Sequence, residues 1–67
     1  MEITRYHVDT QAGLFKLRKR TVAELEAFKR HAREIAPLAS VPENRRDTEA
    51  LIVACNEELQ RREGVGQ

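Results

Sequence analysis

Sixty-seven residues with a formal charge of +1 allow one small domain and exclude the strongly basic kind of chain that coats nucleic acid without selectivity. A chain this short buries only about 60% of the surface its unfolded form exposes, so its own core is marginal. The single cysteine, Cys55, excludes an internal disulfide framework and fits a reducing compartment.

Association, with a second copy or with another protein, is then the expected source of extra stability. The charge is uneven: residues 1–20 carry +3, residues 21–40 balance, and residues 41–67 carry −2. No apolar run nears the roughly 20 residues of a membrane span, and the first residues do not read as a signal peptide. The expectation is a soluble, cytoplasmic chain without membrane contact.

Residues 1–13 read as an N-terminal arm or first strand. Ile3–Val8 is rich in β-branched and aromatic residues, which favour extended structure. Asp9–Gly13 reads as a turn in which Gly13 can supply a positive φ. Leu14–Arg20 alternates apolar and basic residues, the pattern of a strand with one buried and one cationic face. Two readings stay open: this strand pairs with Ile3–Val8 in a hairpin, or with a second chain.

A helix is predicted over Val22–Ile35, behind the capping box Thr21–Glu24. Val22, Leu25, Phe28, Ala32 and Ile35 form its apolar stripe, and Pro37 stops it. One continuous helix from Gln11 to Ile35 is a rival reading, opposed by Gly13 and by the capping box. A last helix starts between Pro42 and Thr48, with Pro42 in its first turn or Asp47 as N-cap. Leu51, Ile52, Cys55 and Leu59 make its apolar face, widened by Ala50, Val53 and Ala54 beyond what one neighbouring helix covers. Gly64 suits its C′ cap, and residues 64–67 read as a frayed tail.

The strand Phe15-Lys16-Leu17-Arg18, the two helices after it and the run Thr48-Glu49-Ala50-Leu51-Ile52-Val53-Ala54-Cys55 resemble the ribbon–helix–helix repressors of the Arc and MetJ type. The resemblance covers residues 14–63. It implies a mostly α fold with a short β element, a strand–helix–helix homodimer. The alternative fold is a β-hairpin followed by an antiparallel helical hairpin. In that family, paired strands enter the major groove of DNA. Carried over, Leu14, Lys16 and Arg18 would face the bases, with Arg20 completing the basic run. Arg45, Arg46 and the amides near Thr48 would hold a phosphate, although Asp47 opposes it. Phe15, Leu17, Leu25, Phe28, Leu51, Ile52, Cys55 and Leu59 would form the dimer core.

The expected function is a small dimeric DNA-binding repressor. The alternative is a protein-binding module, such as a phage- or plasmid-borne inhibitor of a host protein. His7 and His31 read as surface histidines, because nothing completes the three or four ligands of a zinc site. Cys55 reads as a small core residue. With no phosphate loop, nucleophile elbow or paired carboxylates, neither an enzyme nor a cofactor is expected.

Overall fold

The computed structural model describes residues 3–65. It contains three α-helices: α1 over Arg5–Leu14, α2 over Val22–Ile35 and α3 over Pro42–Val65. Single 3-10 turns at Leu17–Lys19 and Ala36–Leu38 stand in the two connections. There is no strand among the described residues, so the strand–helix–helix ribbon and the β-hairpin are both overturned. The helical hairpin is present, as α2 packed on α3.

The N-terminal arm is helical because its start is capped and its inner side is buried. The Thr4 N–H donates to His7 Nδ1 at 3.1 Å, so a histidine occupies the place of the glutamate in a capping box. Val8 and Gln11 are buried. On the outer side, Arg5 forks onto Glu57 of α3 with two contacts of 2.6 Å, a bidentate geometry that fixes direction as well as distance. These tertiary contacts override the extended preference of Ile3–Val8. Asp9–Gly13 is accordingly helix interior rather than turn, and no described glycine has a positive φ.

The positive φ falls instead at Lys16 (φ 52°, ψ 50°). The Lys16 N–H donates to the Gly13 carbonyl at 3.2 Å, which ends α1 in the left-handed manner usually given to glycine. The chain then turns Leu17 inward to 1% exposure, where it joins the core cluster. The predicted strand Leu14–Arg20 is thus a helix end followed by a tight turn, which also rules out one helix from Gln11 to Ile35.

α2 has the predicted bounds. The Thr21 hydroxyl accepts from the Glu24 N–H at 3.1 Å, and the Glu24 carboxylate accepts from the Thr21 N–H at 3.0 Å. The latter bond is the main reason the Glu24 carboxyl titrates below its ordinary range. Thr21→Ala is expected to cost about 1 kcal/mol of unfolding free energy, measured by urea denaturation.

α3 begins at Pro42, whose missing N–H costs nothing in a first turn, so Asp47 is interior rather than an N-cap. Arg45 Nη2 reaches back to the Ala39 carbonyl at 3.0 Å and closes the short connection from α2. Gly64 and Val65 lie within α3, so Gly64 is not a C′ cap and this half of the predicted frayed tail is helix; Gly66 and Gln67 fall outside the described residues. At 24 residues and 1.5 Å per residue, α3 sets the 40 Å long axis of the molecule.

The face of α3 that is too wide for one neighbour is covered by two helices of the same chain, α1 and α2. Leu17, Leu25, Leu51 and Cys55, expected in a dimer core, are buried within this one. Phe28, Ile52 and Leu59 pack against it half-buried. Ala50 and Ala54, both buried, let the helices approach closely. Cys55 is fully enclosed, and burial pushes its thiol up.

Candidate functional site

Besides a cavity of about 210 Å3 where Ala12 and Arg18 face Ala54, Glu58 and Arg61, the described residues present two surface features, an apolar groove and a cationic turn. α1 has 10 residues against 14 in α2 and 24 in α3. A groove of about 250 Å3 lies beside the last turns of α1, over the later half of α2 and the first half of α3, lined chiefly by Phe15, Phe28, Ala32, Ile35 and Leu51. Gln11, His31, Asp47 and Thr48 supply its polar edge. Phe15 and Phe28 meet edge to face at 5.7 Å, and the Arg20 guanidinium lies 5.5 Å from the Phe28 ring centre. Ile35, Leu38 and Val41, at 40%, 80% and 45% exposure, continue apolar surface along the connection from α2 to α3.

The second feature is the turn between α1 and α2. Lys16, Arg18 and Lys19 are exposed, and none forms an ion pair among the described residues. The turn is held from both sides by arginines. Arg20 donates to the Phe15 carbonyl at 3.0 Å, and Arg62 of α3 donates to the carbonyls of Leu17 and Arg18 at 3.1 and 3.2 Å. Arg62 is itself positioned by Glu58 at 2.9 Å, and Arg61 binds the same carboxylate. Hydrogen bonding from Arg61, with Arg62 adding to it, holds the Glu58 carboxyl below the usual carboxylate range.

The DNA-reading set predicted from sequence is divided by this fold. Lys16, Arg18 and Arg20 lie on the turn, and Leu14 is exposed beside it. Arg45 and Arg46 lie near the start of α3, bonded to the Ala39 carbonyl and to Asp47. The Thr48 hydroxyl donates to the Asn44 carbonyl. The turn instead meets α3 at Glu58 and Arg62, about 20 Å further along that helix. Sequence reasoning missed the roles of His7 as a cap, of Arg62 as a clamp on the turn, and of His31 at the groove edge. The capping role had a signal, a Thr-x-x-His spacing ahead of residues able to form a helix; the other two depend on tertiary placement.

No helix of the described residues is long and apolar enough to cross a membrane. The fold and its two surfaces define a small three-helix domain with one apolar groove and one cationic turn. Comparisons with protein-family models, curated proteins and solved structures give no match.

Proposed function

We propose that the chain is a small protein-binding module that receives the apolar side chains of a partner protein's amphipathic helix in the groove beside α1. The observation that carries this reading is the apolar groove between the three helices, floored by Phe28, Ala32 and Leu51. A helix laid over it would set its apolar side chains against that lining. The volume of about 250 Å3 falls below the roughly 300–1,000 Å3 of small-molecule sites, which favours side chains of a protein over a cofactor. The exposed Leu38 and Val41 extend the apolar surface beyond the groove itself.

The test is site-specific crosslinking in the native cell. A photoreactive residue in place of His31, at the groove edge, is expected to capture one protein in stoichiometric yield, and one at Thr10 to capture none. Ile35→Glu should weaken capture at least about tenfold, since burying an isoleucine contributes about 1.5–3 kcal/mol. Its thermal stability should stay near that of the parent, as for other surface changes. If the captured protein is a second copy, the same substitution removes a concentration-dependent dimer in sedimentation. Equal capture from both positions, or capture that survives Ile35→Glu, rejects the groove.

A further inference from the structure

Lys16, Arg18 and Lys19 do not line the groove, and the backbone of their turn presents an anomaly. Lys16 is the one described non-glycine residue with a positive φ, in a conformation that costs an ordinary side chain free energy and a glycine none. The chain has a glycine three residues earlier, spent inside α1 where it packs against nothing. A lysine in the strained place makes sense where its side chain is needed, since backbone strain of this kind gathers at functional sites.

The surroundings strengthen the point. At this end of the molecule Arg61 and Arg62 of α3 join the basic turn residues, and the carboxylates around them include Glu24, Glu58, Asp9 and Glu57, of which Asp9 and Glu57 are paired to Arg5. Glu24 and Glu58 are already ion-paired, to Arg20 and to Arg61 and Arg62. The turn carbonyls that would repel an anion are occupied by Arg20 and Arg62. Three cations are left facing outward on a turn clamped from beneath.

We propose that Lys16, Arg18 and Lys19 form a contact site for the phosphate backbone of double-stranded DNA, with Lys16 held left-handed to present its ammonium. The chemistry is phosphate contact rather than base reading, because the element is a tight turn and not a ribbon that fits the groove. A duplex is favoured over a single strand because residues 16–20 carry no aromatic side chain on which bases could stack. It is favoured over a lipid surface because Leu17 is buried and Leu14, with part of Phe15, is all the apolar surface exposed beside the turn, whereas an interfacial helix inserts a whole apolar face. This site is independent of the groove, and either can fail alone.

The experiment is fluorescence anisotropy of a labelled mixed-sequence DNA duplex titrated with the whole chain at several salt concentrations. Three phosphate contacts predict that affinity falls about 40-fold between about 50 and about 200 mM salt. Lys16→Gly is expected to reduce that fall to about 12-fold, as two contacts require, while its Tm stays level or rises by a few degrees as the strain is relieved. Combining Lys16→Gly with Arg18→Ala and Lys19→Ala should leave no salt-dependent binding, with helicity retained by circular dichroism. The proposal is overturned if the parent does not bind the duplex at the lowest salt or if Lys16→Gly leaves the salt dependence unchanged. Tighter binding to vesicles rich in phosphatidylserine than to the duplex overturns it as well.

Discussion

Leu17→Ala is expected to lose about 2–5 kcal/mol of unfolding free energy, the range for removing a fully buried leucine. Leu17 is 1% exposed and follows directly on the left-handed Lys16, so the turn exists in order to bury it. Total stability for a chain of this size is about 3–10 kcal/mol. The loss therefore takes a large share of it, and the variant should be partly unfolded in the absence of denaturant. Leu14→Ala is the control: at 69% exposure it should change stability by no more than about 0.5 kcal/mol. Urea denaturation followed by circular dichroism measures both. Equal losses at the two positions would mean that the turn does not anchor the connection from α1 to α2.

Glu58→Ala carries the second large effect, because one carboxylate orders two arginines and, through Arg62, the turn carbonyls. Glu58 is 8% exposed, while the side chains of Arg61 and Arg62 are 49% and 24% exposed. Breaking a buried ion pair costs about 3–5 kcal/mol; water screens these arginines, and a loss of about 1–2 kcal/mol is expected. The same group sets acid stability. Its folded pKa lies below the ordinary value, so its contribution is complete above the unfolded carboxylate pKa of about 4.3. That contribution is lost as pH falls through the lower, folded value. Glu24 and Glu57, shifted down by Thr21 and Arg5 respectively, act in the same direction. Melting curves at falling pH should show the parent losing stability below about pH 4, and Glu58→Gln losing less. An acid limb unchanged in Glu58→Gln would remove this carboxylate from the account.

α2 was legible residue by residue because its signals are local: an apolar stripe, a capping box and a proline stop. α1 was not, because Ile3–Val8 has extended propensity, and what makes it helical is distant in sequence, the burial of Val8 and the fork from Arg5 to Glu57. At Leu14–Arg20 the alternation was real but its meaning was open. Leu17 is buried and Lys16 and Arg18 are exposed, as a strand would have them, yet a short run does not distinguish a strand from a turn with one anchor. The predicted positive φ at Gly13 moved to Lys16 because helix α1 continues until Leu17 can reach the core. The groove depends on how α1 lies against the hairpin, which no local pattern records.

Cys55 gives the molecule a property of a different kind. Its sulfur is sealed between α2 and α3, with no surface open to solvent, and its thiolate is scarce because burial raises its pKa. An alkylating reagent therefore reacts only when those helices part. The rate of that reaction reads the frequency of opening rather than the concentration of reagent at the surface. With a single cysteine in the chain, the protein carries one built-in reporter of its own breathing, placed where its two longest helices meet.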